Sequence, residues 1–257
     1  MQELVPSDIP LFAAVSKKTT NTILRSVRMI DARRGTVLFR SGDAPSGIHI
    51  IVSGVVKLLL PHAPRGEKVI ALLRPGESFG LSALLSDTPH VVTAAVARDC
   101  TIAHLPRTSA LRLMRDEPKF LHQIAIELSR RFRDLLLDIK TTTRQSAIQR
   151  IVVFLVAQLP RARSNQAVTL RLPAKKADIA SKLDLTGAHF SRILHELDSS
   201  GVIDLNGSTV TVPDSAKLRA MVARAGVTSQ SAHARVKRPS ERRRQRARKR
   251  RGPAPYR

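Results

Sequence analysis

The stretch ADIASKLDLTGAHFSRILHELDSSGVI, Ala177 to Ile203, carries two segments of helical apolar spacing with a tight turn between them. This pattern predicts helices over 175–183 and 187–199. The chain continues as DLNGSTVTVPD, in which Asn206-Gly207 separates two segments of alternating apolar residues, a strong hairpin signal. Helix, tight turn, helix and hairpin in this order predict a winged helix-turn-helix.

The second of these helices has one apolar side and one polar side. The apolar side consists of four residues that we expect to be buried: Phe190, Ile193, Leu194 and Leu197. Thr186 precedes the helix and has the chemistry of an N-cap, because its hydroxyl can accept from an early helix amide. A recognition helix presents its N-terminal side chains to base edges in the major groove, so its first exposed turn provides the candidate reading residues. They are Ala188, His189, Ser191 and Arg192.

The N-terminal half of the chain has a different pattern. From Met29, short apolar segments alternate with glycine-containing turns, as in TVLFRSGD and IHIIVSGVVKLLL. Many short strands at even spacing predict a barrel or jelly roll. One helix is predicted before the strands, over 10–27, and another over 146–159, where a strongly apolar segment could anchor the C-terminal domain.

A long helix is predicted between the two halves, over 119–142. Its apolar residues fall at steps of three and four along one side: Leu121, Ile124, Leu128, Phe132, Leu135 and Ile139. Such a stripe can pack on the helix's own domain or on a second copy of the chain. The length of the helix and its position between two domains favour a dimer interface.

The chain is strongly basic, with a formal net charge of +24 and a pI of about 11.6. A balance of this kind favours polyanionic partners, above all nucleic acid, over a merely solvated basic surface. Half of the charge lies in residues 224–257, which hold thirteen Lys and Arg residues against one acid, Glu241. Aromatic residues make up only 3% of the chain, which disfavours binding of single strands by base stacking.

Several classes of protein and site lack support in the sequence. The single cysteine, Cys100, excludes an intramolecular disulfide and a four-cysteine zinc or iron–sulfur site. We find no signal peptide and no apolar run of membrane-spanning length, so we expect a cytoplasmic protein without a membrane partner. There is no Walker loop, nucleophile elbow or metal-spaced His/Asp cluster, and we expect no enzyme and no metal site.

These segments, in this order, resemble the Crp/Fnr superfamily of bacterial transcription regulators. The resemblance covers about residues 8–220 and rests on GTVLFRSGDAPSGIHIIVSGVVKL, RPGESFGLSALL and the Ala177 to Ile203 stretch. It implies an α+β chain with a cyclic-nucleotide-binding-like β-roll (1–117), a dimerisation helix (118–143) and a winged helix-turn-helix (144–222). An Arg-rich tail, 223–257, follows. The implied function is transcription regulation by a homodimer on palindromic double-stranded DNA, with RNA polymerase as a further partner.

For the DNA site, the resemblance implies that Arg192 contacts guanine, with Ser191 on a thymine methyl or a phosphate. The family usually has a glutamate where this chain has Ala188, and often a glycine where it has Asp184. Loss of the carboxylate removes an acceptor for cytosine N4, so we expect a shifted or looser half-site. Lys175 and Lys176 open the preceding helix and are candidate phosphate contacts.

For the effector site, family members that bind cyclic AMP use a glutamate after the FG pair and an arginine followed by serine or threonine. The matching positions here are Leu81, His90 and Val91, so both charged partners are missing. This disfavours cyclic AMP, and the missing cysteines disfavour an iron–sulfur cluster. Haem is still an alternative as a cofactor. A second alternative is an apolar effector pocket formed by these three residues together with Gly80 and Ser82. The alternative function is a small-ligand or gas-sensing module with altered or weakened DNA specificity.

The Arg-rich tail has almost no large apolar residues, so we expect it to be disordered and to act as a nonspecific DNA-binding arm. Each phosphate that it neutralises releases counterions. Deletion of the residues after 225 should weaken binding to all DNA sequences alike and flatten the slope of log K against log salt. Affinities measured at several salt concentrations test this, and an unchanged slope would rule out the arm.

Overall fold

A computed structural model of the chain describes residues 9–12, 15–62, 66–160 and 167–224. The tail predicted over 223–257 lies outside these residues, apart from its first two positions, which end the last helix. Within the described part, no helix is long and apolar enough to cross a membrane.

The segment before the first strand is not the single helix predicted over 10–27. A 3-10 turn covers Pro10–Phe12, and helix α1 covers Lys17–Ser26. Ser16 has an extended backbone, with ψ of 157°, and its side chain accepts from the Thr19 amide at 3.1 Å. This N-cap fixes the start of α1 at Lys17, which the apolar spacing alone does not reveal.

Six strands form one antiparallel sheet, which confirms the predicted β-rich N-terminal domain. They are β1 (Arg28–Ala32), β2 (Val37–Phe39), β3 (Gly47–Pro61), β4 (Glu67–Leu73), β5 (Ser78–Phe79) and β6 (Thr93–Pro106). The order is β1-β6-β3-β4, with β2 also on β6 and β5 also on β3. A short helix, α2 (Leu81–Ser86), follows β5.

The long strand β3 is buried on both faces. Ile48 and Ile50 pack on one side against the helices, and Ile51 packs on the other side inside the roll. Gly54 lets β3 cross close to β6: its φ is +88°, and a Cβ there would lie 2.6 Å from Cys100 Sγ. The register shifts around this point bend the sheet so that it can fold over on itself.

Two helices follow the sheet, α3 (Arg107–Asp116) and the long α4 (Pro118–Arg144). The first half of α4 belongs to the N-terminal core, where Phe120 and Ile124 are almost fully buried and Leu128 packs partly against the same cluster. The prediction that Ile124 lies at a dimer interface is therefore wrong, because the β-roll already covers it. Ala125, the next residue, is exposed instead.

The C-terminal domain has the predicted winged helix-turn-helix architecture. Its elements are α5 (Ala147–Gln158), β7 (Val168–Arg171), α6 (Lys176–Lys182), α7 (Gly187–Ser199), β8 (Asp204–Asn206), β9 (Thr209–Val212) and α8 (Ser215–Arg224). The strands form a sheet in the order β7-β9-β8. Sequence reasoning missed α8, although the Asp214 side chain, which accepts from the Ala216 and Lys217 amides at 2.9 Å, marks its start.

Candidate nucleic-acid interface

Thr186 caps the N-terminus of helix α7, which begins at Gly187. Thr186 has an extended backbone, with ψ of 153°, and its Oγ1 accepts from the His189 amide at 3.2 Å. The carbonyl of Thr186 also accepts from the Phe190 amide, which closes the first helical turn. The first turn is thus fixed by local chemistry before any tertiary contact is made.

Burial of one side of α7 determines which residues face the solvent. The side toward α5 and α6 carries Phe190, Ile193, Leu194 and Leu197, all of them buried in one apolar cluster. On the opposite side Ala188 is exposed, and the Arg192 side chain, one turn later, is 70% exposed. His189 and Ser191 flank these two and are half-buried.

A carboxylate that sequence reasoning missed lies one turn after Arg192. The Oε1 atom of Glu196 is 3.9 Å from Arg192 Nε, on the exposed side of α7. Such exposed pairs contribute about 0–1 kcal/mol. The spacing of four residues would have revealed the pair. The acidic partner of Arg192 is therefore C-terminal to it, since position 188 is occupied by an alanine.

The predicted phosphate contacts lie at the start of α6. Lys175 is its exposed N-cap residue and Lys176 its half-buried first residue. The turn between α6 and α7 contains Asp184, whose φ of 57° is left-handed. Asp and Asn adopt this conformation more readily than other residues with a Cβ, which explains how the turn forms without glycine.

A cluster of aromatic and imidazole rings fills the interior of the β-roll. The ring of His90 stacks on Phe39 with centroids 3.7 Å apart, and His49 stacks on Phe79 at 4.9 Å. His104 adds a third imidazole, 4.6 Å from that of His49. The Nδ1 atom of His49 is buried and has no hydrogen-bond partner among the described residues.

These surroundings keep the imidazoles neutral. Burial, together with the nearby His104 and His90, lowers the pKa of His49 from its ordinary 6.5 to about 3. Burial also lowers the pKa of His90 and of His104. A neutral ring at position 90 cannot replace the cation that a cyclic phosphate needs.

Of the residues predicted to line an effector pocket, Gly80 and His90 lie close together, whereas Leu81, Ser82 and Val91 have different surroundings. Leu81 is 2% exposed and belongs to the apolar core under the helices, whereas Val91 is 70% exposed. Ser82 is exposed on α2, and His90 is held in its stack on Phe39. Gly80 lies against the backbone of Gly47, which leaves 2.9 Å for a Cβ. An apolar effector pocket around these five residues therefore stays a prediction.

Neither of the two ligands considered from the sequence fits these residues. Leu81 offers no acceptor for a ribose hydroxyl, and the enclosed His90 offers no charge for a phosphate. A haem needs an imidazole nitrogen with open space above it. His49 is 5% exposed and the face of His90 is covered by Phe39, so neither of these two imidazoles provides such a nitrogen.

Known family models match both halves of the chain. The family model for a cyclic nucleotide-binding domain matches residues 29–117, and the model for a Crp-like helix-turn-helix domain matches 149–221. The cyclic AMP receptor protein of Thermus thermophilus is 28% identical over 209 residues, which cover 81% of this chain and 94% of that protein. The transcriptional activator protein anr of Pseudomonas aeruginosa is 26% identical and covers 85% and 89% of the two chains.

The solved structures agree in fold. FixK2 from Bradyrhizobium japonicum aligns with a TM-score of 0.67 over 76% of this chain and 96% of its own, at 20% identity. Relatives of this similarity support the two-domain architecture, with α4 as the connecting helix.

The buried imidazoles make the stability of the protein sensitive to acid. Their pKa is lower in the folded protein than in the unfolded chain, so the unfolded chain binds more protons below pH 6.5. The free energy of unfolding should fall as the pH drops from about 6.5 toward about 3. For each imidazole, the loss is about 1.4 kcal/mol for every pH unit between its pKa in the unfolded chain and its lower pKa in the folded protein. Denaturant titrations at pH 7, 6, 5 and 4 measure this loss.

Replacement of His49→Leu should remove the largest part of this pH dependence, whereas His62→Leu, at an exposed position, should leave it unchanged. The difference between the two variants separates the imidazole effect from protonation of carboxylates below pH 5. Equal pH dependence in both variants would contradict the assignment to His49.

Proposed function

This chain belongs to the Crp/Fnr superfamily of DNA-binding transcription regulators, and we propose that α7 enters the major groove with Arg192 as its principal reading residue. One observation carries the proposal: Arg192 extends from the exposed side of a capped helix whose opposite side is locked in the core. Its position within the first two turns after Thr186 is where a recognition helix approaches the bases.

The chemistry of Arg192 suits a guanine contact. A guanidinium group can donate two parallel hydrogen bonds to O6 and N7 of guanine, which contributes about 1–3 kcal/mol of discrimination. Ser191 and His189 flank it and can add contacts to a phosphate or a neighbouring base. Lys175 and Lys176 are suited to phosphates, which fix the register of the protein on the duplex without reading sequence.

Ala188 makes this reading surface different from the family pattern. A carboxylate at position 188 would accept from cytosine N4, whereas alanine offers only a methyl group, which suits thymine. Glu196, one turn after Arg192, adds a negative charge to the exposed surface. We therefore expect a half-site that differs from the usual family half-site at one base pair.

Selection of binding sites from random DNA tests both residues. Arg192→Ala should relax the preference at one G·C pair and lower affinity for the selected site by about 5- to 150-fold, the equivalent of 1–3 kcal/mol. Ala188→Glu should introduce a cytosine preference next to it. The control Lys175→Gln should weaken binding to all sequences about equally.

Two results would contradict the proposal. If Arg192→Ala weakens all sequences alike, Arg192 contacts only phosphate. If the unaltered protein already selects the cytosine that Ala188→Glu is expected to introduce, the half-site is not shifted.

Regulators of the Crp/Fnr type act as dimers, and the exposed side of α4 supplies a surface suited to a second copy. Leu121, Phe132, Leu135 and Ile139 are all more than two-fifths exposed. Together with Ala125 and Leu128 they alternate at steps of four and three, which is the heptad spacing of a coiled coil. The dimer interface proposed here thus contains Ala125 in place of Ile124.

A substitution in this surface should separate the copies. Leu135→Glu should weaken the dimer by about 100-fold, because a carboxylate at the centre of a coiled-coil interface would be buried without a partner. Leu60→Glu is a matched control, because Leu60 lies on β3 and is similarly exposed. Sedimentation velocity over a range of concentrations measures both. A dimer of unchanged strength in Leu135→Glu would contradict this interface.

The remaining partners follow from the regulator function. The relatives with assigned roles are transcription regulators and not enzymes. We propose RNA polymerase as a further partner of this chain, because an activator bound at a promoter acts by contacting it. In vitro transcription with purified polymerase, with and without the protein, tests this contact: equal transcript levels on a bound promoter would exclude it.

A further inference from the structure

We propose that Asp184 is a positioning residue for the recognition helix: with Lys68 it fixes the turn before α7 to strand β4 of the N-terminal domain. The inference rests on the proposed role of α7 in reading DNA. It concerns how that helix is held, whereas the preceding section concerns what the helix contacts.

Three polar contacts connect α6 and its turn with the hairpin formed by β3 and β4. Lys57 Nζ lies 2.6 Å from Asp178 Oδ1, and Lys68 Nζ lies 2.9 Å from Asp184 Oδ1. Between them, the Val69 amide donates to Ser181 Oγ at 3.0 Å. Residues 178, 181 and 184 are spaced by three, so the partners from the C-terminal domain lie along one side of α6 and continue into the turn.

The contacts differ in how well water is excluded. The side chains of Lys57 and Asp178 are 22% and 14% exposed, whereas those of Lys68 and Asp184 are 32% and 51% exposed. An apolar centre lies beside them, since Val55 and Ala97 of the β-roll belong to the same buried cluster as Phe190. The interface thus has an apolar centre with ion pairs at its edge, as in stable protein interfaces.

A further ion pair joins the same helix to α4. Lys182 Nζ lies 2.7 Å from Asp138 Oδ2, so the end of α6 is bound both to the β-roll and to the long helix. The Asp184 carbonyl also lies 3.4 Å from Nη1 of Arg150 on α5. The turn before α7 is therefore held by three different elements of the chain.

Asp184 provides a contact that glycine could not. Its φ of 57° is a conformation that glycine adopts without strain, and Asp carries a conformational cost there. Its carboxylate reaches Lys68 on another domain. Since α7 begins only three residues later, at Gly187, a displacement of this turn displaces the N-terminus of α7 together with Ala188 and Arg192.

Two substitutions separate positioning from simple turn formation. Asp184→Asn keeps a residue that tolerates the left-handed conformation and removes the charge. Asp184→Gly removes both the charge and the strain. If Asp184 only formed the turn, Asp184→Gly would behave like the unaltered protein; if it positions α7 through Lys68, both variants should behave like Lys68→Gln.

The distance between the domains is the direct measurement. Spin labels at Ser82→Cys on α2 and Ser199→Cys at the end of α7 report it by double electron–electron resonance. Both positions are exposed, and the native Cys100 is buried and can be replaced by alanine. Labelled protein is diluted with unlabelled protein, so that distances between copies do not contribute.

Asp184→Asn, Asp184→Gly and Lys68→Gln should each raise the ratio of displaced to docked domains by about two- to fivefold, the range expected of an exposed pair. The double variant Asp184→Asn with Lys68→Gln should add little to either single change. Lys57→Gln should raise the ratio by about tenfold, because its pair is better shielded from water. Lys217→Gln, an exposed lysine on α8, is the matched control and should leave the distances unchanged.

The affinity of each variant for the selected DNA site is a second, independent measurement. The Asp184 and Lys68 variants should lose a few-fold in affinity although neither side chain lies on the exposed side of α7. An unchanged distance distribution in Asp184→Asn, or a distribution in Asp184→Gly like that of the unaltered protein, would overturn the inference. If the unaltered protein fails to bind DNA, the proposed function fails, and the distances alone decide whether Asp184 holds the domain.

Discussion

Enclosure of Phe190 and Leu194 in the core of the C-terminal domain fixes the rotation of α7 about its axis. Both side chains are fully buried, so α7 cannot rotate without exposing a large apolar surface. Once this rotation is set, the helical period determines that Ala188, Arg192 and Glu196 share the outer side. The specificity expected of this protein thus follows from packing on the side of α7 that faces the protein interior.

Burial of apolar side chains also determines the arrangement of the N-terminal domain. Alternate residues of β3 are buried against the helices and inside the roll, so little of the strand is left for polar ligands. The interior is filled by Phe39, Phe79 and their imidazole partners. Polar contacts instead gather at the edge of the roll. There Arg131 of α4 donates to the Ser78 carbonyl, and Arg74 donates to Gln158 of α5.

The features that sequence reasoning predicted are those encoded locally. Thr186 and the apolar period fix the start and the buried side of α7, and Asn206-Gly207 fixes the wing, without reference to the rest of the chain. The errors concern choices made by tertiary packing. Ile124 and Ala125 are neighbours on α4, and only the position of the β-roll decides which of them faces the solvent. Likewise, Leu81 and Val91 are both apolar, but one is enclosed by Phe120 and its neighbours and the other is not.

Helix α4 changes its surroundings near Leu128, since Phe120 and Ile124 before it are buried in the N-terminal core, whereas the large apolar residues after it are exposed. Its first half is therefore anchored within a single chain, whereas its second half would gain its full stability only from the dimer proposed above. For a protein that binds DNA as such a pair, occupancy of a promoter rises with the square of monomer concentration while most chains are unpaired. A modest change in synthesis then produces a steep change in gene expression, without any small-molecule signal.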